Sequence, residues 1–504
     1  MTAGPPGTRP TSIVEILDTA SKTWPDRVLL VDPALDRTAT YAQFADLVEG
    51  AAAQLQGWGL GPGDRVALLA RNGLESAIAI WACARAGLVF VGLPVDAPRA
   101  RHAELLDLVG PAALLAQSGL AGTLGGRETA DASGVLLSSP RPWDPSRELP
   151  AEDTTYMLIP TSGTTGGPKA VRVTGQMAGH AAEFYAAALG LGPDDRTAIH
   201  LPFSWVSGHL TQLAPAMHSG GSAVSMADYS APLLVATARG YGVTWLDVVP
   251  SIWEGLLRCD GFTALTAVRL AVYGGAPAPA GTLDRVRAAL PQIELHDVYA
   301  LSETCAPVTH LPDGADKPGT VGRAVPYAEL RVVDAMDRVV AAGEVGEVWV
   351  RSPVVTPGYW GDREQLRVTA DGWLRTGDLG WLDADGYLTL AGRAVDLILR
   401  GGVNVYPQEV ERALMCSGQL ADAGVFGVPS PVAGQNVAAA VVALPGVEVD
   451  VPALRRCVQD ALGAHAVPRP LRVVAALPRN ANGKLDRVAL AEAESTDLHD
   501  RPQG

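Results

Sequence analysis

The sequence predicts an α/β protein with a large N-terminal domain of doubly wound sheets, a barrel-like subdomain and a small C-terminal α+β domain. Three observations support this prediction. The 504 residues are too many for one compact core, and 48% of them are apolar. Strand-like and helix-like segments alternate up to about residue 310, which is typical of parallel sheets with crossover helices. From 318 to 391 short strands separated by glycine turns indicate an antiparallel sheet or a distorted barrel.

The predicted elements follow in order along the chain. Residues 12–26 have apolar positions at helical spacing, and residues 40–60 predict a second helix with Thr40 as its N-cap. Residues 117–150 are rich in Gly, Pro and Ser and predict a connection made mostly of loops. Between that helix and this connection we predict a strand at 65–70, a helix at 74–86, a strand at 88–91, a helix at 99–108 and a strand at 112–116.

Composition excludes several classes of partner. The formal net charge is −15, and an acidic surface repels nucleic acid and anionic membranes, so we expect neither as a partner. The most apolar segment, residues 76–95, contains Arg85 and a glycine break, so it predicts a buried helix followed by a strand and not a membrane span. A local positive site for small anionic substrates remains compatible with this charge. The oligomeric state is not predicted.

Cysteine usage and the first residues predict a cytoplasmic protein. The N-terminal stretch MTAGPPGTRP has no apolar region of the kind found in signal peptides. The number of cysteines is odd, and their spacing forms no CxxC pair, so we expect reduced and mostly buried thiols. The five cysteines are Cys83, Cys259, Cys305, Cys416 and Cys457.

A glycine-rich stretch, PTSGTTGGPKAV at 160–171, suggests phosphate binding. It follows a strand-like run and precedes a helical pattern that begins near Thr174. Glycines let backbone N–H groups approach a phosphate, hydroxyls add donors, and Lys169 supplies a positive charge. The spacing differs from that of a Walker loop, because Pro168 precedes the lysine and Ala170 follows it. On composition alone, a flexible surface loop remains the alternative.

The glycine-rich stretch resembles the phosphate loop of the adenylate-forming superfamily, which includes acyl-CoA synthetases, aryl-acid ligases, adenylation domains and firefly luciferase. Five further stretches resemble successive segments of that family in the correct order, across nearly the whole chain. Any one of these stretches is a weak signal, but six in order make a chance match negligible. They are TSGTTGGPKAV (161–171), VYALSET (298–304), GEVWVRSPVVTPGYWGD (346–362), GWLRTGDLG (372–380), GYLTLAGRAVDLILRGGVNVYPQEVE (386–411) and LPRNANGKLDR (477–487).

The resemblance implies an ATP site with a role for each matching residue. Tyr299 would stack on adenine, Asp297 would pair with the adenine amino group, and Asp378 would hold the ribose hydroxyls. Taken without the family, Asp378 could instead form an Asx-turn between two glycine turns. The ATP- and AMP-binding residues implied are Thr161, Ser162, Gly163, Thr164, Thr165, Gly166, Gly274, Gly275, Ala276, Asp297, Tyr299, Ala300, Ser302, Asp378 and Arg393.

Three residues are implied as catalytic. Glu303 would hold Mg²⁺ by an oxygen ligand, as a hard cation prefers. Lys169 would contact phosphate oxygens. Lys484, in the turn sequence NGKLD, would reach from the small domain to the carboxylate and the α-phosphate, where negative charge develops. Outside this pattern, a lysine in an Asn-Gly turn is ordinarily solvated and idle.

The segment LPFSWVSGH (201–209) departs from the family in a way that bears on the substrate. Trp205 stands where relatives often have the histidine that gates the acyl pocket, so an indole would be the gate. Val206 stands where amino-acid-activating relatives carry an aspartate for the α-ammonium, and an apolar side chain cannot compensate a buried cation. An α-amino acid is therefore excluded. The candidate acid pocket consists of Trp205, Val206, Ser207, His209, Tyr273, Ala306 and Pro307, with Gly274, Ala276 and Ala300 beside it.

The hinge is the second departure. The family's hinge residue lies two positions after the matching arginine, Arg393, and is usually Asp or Lys, whereas here it is Val395, followed by Asp396. A β-branched side chain is stiff. Either Ala394 or Asp396 then absorbs the rotation of the small domain, or the second half-reaction is unusual.

The predicted activity is that of a ligase. We expect a carboxylic acid and MgATP to give an acyl-adenylate and pyrophosphate, followed by transfer to CoA or to the phosphopantetheine thiol of a separate carrier protein. The pocket favours an aryl or arylacryl acid. The alternatives are a non-thiol nucleophile such as an amine or a small inorganic anion, a nucleotide-binding protein without turnover, and a kinase-like transferase that releases ADP. The expected domains are 11–393 for ATP and acid binding and 394–492 as a mobile lid, with 1–10 and 493–504 disordered.

Overall fold

The computed structural model describes residues 12–138, 150–151, 153–162, 168–276, 278, 281–361, 366–430, 432–479 and 485–499. The first part of the chain alternates strands and helices. Its elements are α1 (Ile13–Thr23), β1 (Val28–Asp32), β2 (Arg37–Thr40), α2 (Tyr41–Gly57), β3 (Arg65–Leu69), α3 (Leu74–Ala86), β4 (Val89–Gly92), α4 (Arg99–Val109), β5 (Ala113–Ala116), β6 (Ala130–Asp131), α5 (Ala132–Leu136), β7 (Thr155–Ser162), β8 (Pro168–Thr174) and α6 (Gly175–Ala188).

The alternation continues to residue 324. The elements of this part are β9 (Arg196–Ile199), a π-helix (Ser207–Leu213), α7 (Ala214–His218), β10 (Ser222–Ser225), α8 (Ala231–Tyr241), β11 (Trp245–Val248), α9 (Pro250–Leu256), β12 (Leu270–Gly274), α10 (Thr282–Ala289), β13 (Glu294–Tyr299), β14 (Thr309–Leu311) and β15 (Arg323–Ala324).

The rest of the chain consists of an antiparallel sheet and a small α+β unit. The sheet strands are β16 (Glu329–Val333), β17 (Gly346–Arg351), β18 (Leu374–Leu382) and β19 (Leu388–Arg393). The elements that follow are β20 (Ile398–Arg400), β21 (Val403–Val405), α11 (Pro407–Met415), β22 (Leu420–Ser430), β23 (Gly434–Ala443), α12 (Val451–Leu462), β24 (Leu471–Val473) and α13 (Arg487–His499).

Local sequence signals account for the first helices. Ser12 caps α1 and Thr40 caps α2, each in a capping box with the residue three positions later. The predicted N-cap at Thr40 is therefore confirmed. The two capping boxes satisfy backbone N–H groups that a helix start otherwise leaves without partners.

Two largely parallel sheets make up most of the protein. One has the strand order β6-β5-β3-β4-β7-β8, and the other has nine strands in the order β15-β14-β13-β12-β11-β9-β10-β1-β2. Antiparallel pairs occur at their edges, as between β7 and β8 and between β13 and β14. The parallel sheets predicted from strand–helix alternation are confirmed. The antiparallel character predicted for 318–391 is also confirmed, because β16, β17, β18 and β19 pair antiparallel in that order.

Both faces of the nine-stranded sheet are covered, as expected for a doubly wound fold. What we call the first core contains residues of both large sheets together with α1, α2, α3 and α6. The second core lies on the other face of the nine-stranded sheet, against α8, α9 and α10. Side chains alternate between these cores along a strand, so the parity of a position decides which core it enters.

Two predicted details differ in the structure. The region 117–150 is not loop throughout, since β6 and α5 lie within it, and 139–149 fall outside the described residues. The tail predicted to be disordered from 493 is helical to His499 as part of α13. Residues 1–10 lie outside the described part. Within the described ranges, no helix is both long enough and apolar enough to cross a membrane.

Candidate active site

Tyr299, Asp378 and Arg393 meet at one point. The Tyr299 hydroxyl donates to Asp378 Oδ2 at 2.5 Å, and Arg393 Nε lies 3.1 Å from Asp378 Oδ1. Asp378 and Arg393 are opposite one another in the β18–β19 pair, whereas Tyr299 ends β13. The buried Asp378 carboxylate raises the pKa of Arg393. An ionised carboxylate beside a half-exposed guanidinium can accept hydrogen bonds from sugar hydroxyls while the guanidinium meets a phosphate.

Asp297 and Tyr273 form a second pair on neighbouring strands. They are opposite one another in the β12–β13 pair, and the Tyr273 hydroxyl is hydrogen-bonded to the carboxyl of Asp297. Burial raises the pKa of Asp297 to about 8. A carboxyl that holds its proton at pH 7 can both donate and accept a hydrogen bond, which suits an adenine edge.

This pair changes the place expected for Tyr273. Its ring packs in the second core, whereas Val206 and Ala306 contact the first core on the opposite face of the sheet. Tyr273 therefore lies with the residues predicted for adenine and not with the rest of the predicted acid pocket. The physical reason is strand parity, since Tyr273 and Asp297 project from the same face of adjacent strands.

Gly274 is required by the close approach of two strands. A Cβ built at Gly274 would lie 2.4 Å from the carbonyl oxygen of Val298 on β13. The next residue, Gly275, has φ = +79°, a conformation that favours glycine. Ala276 is exposed beside them. The predicted adenine-side loop is thus a tight turn at the carboxyl end of β12.

Glu303 and Lys169 are joined by a residue that the sequence reasoning missed, Tyr359. The Tyr359 hydroxyl donates to Glu303 Oε1 at 2.7 Å. The Nζ atom of Lys169 lies 5.2 Å from the centre of the Tyr359 ring, which is a cation–π contact. The signal that could have found it is the stretch TPGYWGD, which lies inside one of the six family-like segments.

The segment around Tyr359 also fixes the backbone on both sides. Trp360 N donates to the carbonyl of Ala170 at 2.8 Å, next to Lys169. Thr356 N donates to the carbonyl of Glu303 at 2.7 Å. One short segment therefore sets the separation between the predicted phosphate lysine and the predicted metal carboxylate.

The glycine-rich stretch connects two antiparallel strands. Thr161 pairs with Lys169 and Ser162 pairs with Pro168 in the β7–β8 hairpin. The helical pattern predicted to begin near Thr174 is confirmed, because Thr174 caps α6, which begins at Gly175. The strand β8 lies between the loop and this helix and was not predicted. The predicted residues Gly163, Thr164, Thr165 and Gly166 lie outside the described residues.

The turn that carries Ser302 and Glu303 is held in an uncommon conformation. Cys305 has φ = +52° although it is not glycine, and its thiol donates to the carbonyl of Ser302 at 3.0 Å. Such a conformation costs about 1–3 kcal/mol and persists where the surroundings impose it. Burial raises the pKa of the Cys305 thiol, so this cysteine is not a nucleophile. Ala300 is exposed at the start of the turn.

The predicted acid pocket is only partly assembled from the expected residues. Trp205, Val206 and Ser207 are half-buried at the start of the π-helix, and Ala306 and Pro307 are buried after the Glu303 turn. Ala306 and Val206 both contact the first core, so these two segments converge on the same face of the sheet. π-Helical turns are uncommon and occur frequently at functional sites.

His209 belongs to the core and not to an open pocket wall. It is fully buried, its Nε2 atom lies 2.7 Å from the Tyr156 hydroxyl, and its ring contacts Trp81 edge-on. Burial lowers the pKa of His209 to about 3, so the imidazole is neutral. His209 therefore supplies no positive charge for the substrate carboxylate.

The predicted hinge has an unrestrained apolar residue and an anchored acidic one. Val395 is 75% exposed, so packing does not hold its side chain. The carboxylate of Asp396 lies 3.5 Å from Arg487, which also pairs with Glu411 of α11 at 2.6 Å. Asp396 is thus tied to the small domain, which leaves Ala394 of the two residues predicted to absorb the rotation. The catalytic candidate Lys484 lies outside the described residues.

The comparisons with known proteins agree with this arrangement. Residues 17–360 match the AMP-binding enzyme family, and residues 409–484 match the C-terminal domain of AMP-binding enzymes. The chain belongs to the AMP-binding enzyme family, which confirms the resemblance to the adenylate-forming superfamily. Within that family it is an AMP-forming ligase.

Three relatives illustrate the similarity. A sulfoacetate–CoA ligase of Cupriavidus necator is 32% identical over 93% of this chain and 95% of its own length. A fatty acid–[acyl-carrier-protein] ligase, ScoC, of Streptomyces coeruleorubidus is 32% identical over 90% and 92%. The structure of O-succinylbenzoate coenzyme A synthetase from Bacillus subtilis with ATP and magnesium ion has a TM-score of 0.81 and 28% identity, covering 94% of this chain and 98% of that one.

Proposed function

We propose that this protein joins a carboxylic acid to a thiol in two steps, through an acyl-adenylate formed from ATP with release of pyrophosphate. The observation that carries the proposal is the path from Tyr299 to Glu303. One end of this five-residue turn contacts Asp378 and Arg393, and the other end contacts Tyr359 beside Lys169. Ribose-side, metal-side and phosphate-side groups therefore converge around one turn, as a single bound nucleotide requires.

In this proposal the chain's own residues position ATP and stabilise the charge that develops. Asp378 accepts from the ribose hydroxyls, and Arg393 lies beside the same sugar and its phosphate. Lys169 holds the phosphates that leave as pyrophosphate. Lys484 stabilises the negative charge that appears as the carboxylate oxygen attacks the α-phosphorus, where the bond to the pyrophosphate oxygen breaks.

Glu303 fits a magnesium ion. In the described part of the chain no group of three or more His, Cys, Asp or Glu side chains is placed to bind a metal. Mg²⁺ is commonly held by one or two carboxylates together with substrate phosphates and water, so a single carboxylate next to the nucleotide suits it. When bound, the ion neutralises phosphate charge and orients the phosphates.

The acid itself is proposed to be an aryl or arylacryl acid. Support comes from the make-up of the predicted pocket, in which the half-buried indole of Trp205 and the small residues Ala306 and Pro307 favour a flat substrate. Val206 provides no carboxylate for an α-ammonium group, so an α-amino acid is excluded. A relative that acts on an aromatic acid, the O-succinylbenzoate coenzyme A synthetase, is compatible with this substrate class.

The acceptor is proposed to be the thiol of CoA or of a carrier protein's phosphopantetheine. Relatives named for each acceptor are similar to this chain to the same degree. All five cysteines of the chain are unpaired, and we place the enzyme in the cytoplasm, where thiols are reduced and ATP is available. A non-thiol nucleophile is the alternative.

The test is ATP–pyrophosphate exchange over a panel of aryl, arylacryl and fatty acids, followed by product masses with and without CoA. We expect exchange that depends on the acid, and release of AMP when CoA is added. Release of ADP would indicate a kinase-like transferase. Nucleotide binding without exchange for any acid would indicate a protein that kept the fold and lost turnover.

A further inference from the structure

A buried carboxyl that the proposed chemistry does not use lies behind the acid pocket. Asp247 is on β11 and is 8% exposed. Its strand neighbours Leu246 and Val248 pack in the second core, so alternation places Asp247 on the first-core face with Trp245. This is the face on which the π-helix and the predicted acid-pocket residues lie.

The contacts of Asp247 lead directly to that pocket. Its Oδ2 atom is hydrogen-bonded to the hydroxyl of Thr211 in the π-helix. The same hydroxyl lies 2.7 Å from the carbonyl oxygen of Ser207, a residue of the predicted acid pocket. On the adjacent strand β12, the residue opposite Asp247 is Val272, two positions before Gly274. Asp247 therefore lies between the predicted acid pocket and β12, the strand that ends at Gly274 of the predicted adenine-side loop.

The contacts of the Thr211 hydroxyl indicate that the Asp247 carboxyl is protonated when no substrate is bound. The Thr211 hydroxyl has one hydrogen but contacts two acceptors, Ser207 O and Asp247 Oδ2. Both contacts are hydrogen bonds if the Asp247 carboxyl is protonated and donates to Thr211, which in turn donates to Ser207. Burial raises the pKa of Asp247 to about 7, which agrees with this arrangement.

Packing alone gives no reason for an acid at this position. The residues on either side of Asp247 are apolar, and a carboxyl with one hydroxyl as its partner is costly to bury. An apolar side chain at this position would avoid that cost. Local departures of this kind are expected at functional sites.

We propose that Asp247, oriented by Thr211, selects the substrate acid by accepting a hydrogen bond from a hydroxyl or amino substituent remote from the reacting carboxylate. This inference rests on the proposed ligase function and narrows its substrate class to acids that carry such a donor. Val206 offers no partner for a charged α-ammonium group, so we place the donor on the ring or toward the far end of the acid. The donor would pair with the carboxyl oxygen that Thr211 does not contact, so the orienting hydrogen bond is kept.

The test uses matched pairs of acids in the ATP–pyrophosphate exchange assay. One member of each pair, the donor member, carries an amino or hydroxyl group, and the other carries a methyl group at the same position. The pairs are built on benzoic, cinnamic and straight-chain acids. For the wild type we expect kcat/KM to favour the donor member of at least one pair by about tenfold or more. Amino and hydroxyl members show which donor is preferred.

Two variants and a control assign the preference to Asp247. Asp247→Val removes the acceptor and should abolish or reverse the preference. Asp247→Asn replaces one carboxyl oxygen with an amide NH2 group, which only donates, and should reduce the preference. Ser225→Ala removes another buried polar group from the same sheet, in β10, and should leave the ratio unchanged. A loss of stability alone would lower both members of a pair equally and would not move the ratio.

Three outcomes would overturn the inference. The first is a wild type that uses the methyl member as well as the donor member in every pair, which needs no variant to fold. The second is an Asp247→Asn or Asp247→Val enzyme with the wild-type ratio. The third is the absence of exchange with every acid tested, which also overturns the ligase function. Exchange that occurs without a donor preference overturns this inference alone.

Discussion

The hydroxyl of Tyr359 donates a 2.7 Å hydrogen bond to a carboxylate oxygen of Glu303, while the face of the same ring meets the Lys169 ammonium. A single side chain thus orients the predicted metal carboxylate and contacts the predicted phosphate lysine. The hydroxyl and the ring can be separated by substitution, which makes this relationship testable.

Tyr359→Phe removes the hydroxyl and keeps the ring beside Lys169. We expect the magnesium requirement for adenylation to rise, with a loss of about 10- to 100-fold, since groups that orient metal ligands typically have effects of that size. A magnesium titration of the exchange rate measures it. Tyr387→Phe is the control, because that ring contacts Lys317 and Arg323 away from the site. An unaltered magnesium titration for Tyr359→Phe would show that the hydrogen bond is not used.

Glu303→Gln keeps the shape of the side chain and removes its charge. Adenylation should fall by at least about a hundredfold, the size of one strong electrostatic contact in a transition state. The measurement is the exchange rate across a wide range of magnesium concentrations. Near-normal activity at every concentration would exclude Glu303 as a metal ligand.

Lys484→Ala should affect one half-reaction selectively. The charge it removes acts mainly in the transition state of adenylation, so kcat should drop by orders of magnitude while ATP affinity changes little. Transfer from a chemically supplied acyl-adenylate to the acceptor should proceed at a near-normal rate. Lys169→Ala should weaken ATP binding as well. Equal damage by Lys484→Ala to both half-reactions would falsify the selective role.

Trp205→Ala tests the predicted gate of the acid pocket. Removing the indole should broaden the range of accepted acids and raise KM for the preferred acid. The loss in kcat/KM for that acid should correspond to about 1–3 kcal/mol, which is typical of one pocket contact. Exchange rates over the acid panel measure both effects. A substrate profile identical to that of the wild type would place Trp205 outside the pocket.

The raised pKa of Asp297 predicts a pH-dependent stability. Its folded-state pKa is about 8, whereas an aspartate in an unfolded chain titrates near about 3.9. Between those values the folded protein binds a proton that the unfolded chain has released, so this group lowers the free energy of unfolding as pH rises. Asp297→Asn removes the titration. Melting temperatures from pH 5 to pH 8 should fall more steeply for the wild type than for the variant, and equal slopes would contradict the prediction.

Much of the fold could be predicted because its signals are local. The capping residues Ser12 and Thr40 bond to backbone groups three positions away, and strand–helix alternation follows from periods of two and about 3.6 residues. The strand between the glycine-rich loop and α6 cannot be predicted from such local signals. The strand β8 exists because it pairs with β7 across the loop, and composition around the loop does not encode that pairing.

What the sequence by itself determined is the family and the change from parallel sheets to an antiparallel sheet, because these depend on short stretches whose chemistry and periodicity can be read in place. The nucleotide-site residues stay a prediction. Only the tertiary structure decided which side chains meet. It placed Tyr273 with Asp297 and buried His209 beside Tyr156. It also joined Glu303 to Lys169 through Tyr359 and brought Asp247 to Thr211, next to the predicted acid pocket. Such contacts depend on strand register and parity between residues far apart in the chain, and a shift of one position would send each side chain to the opposite face.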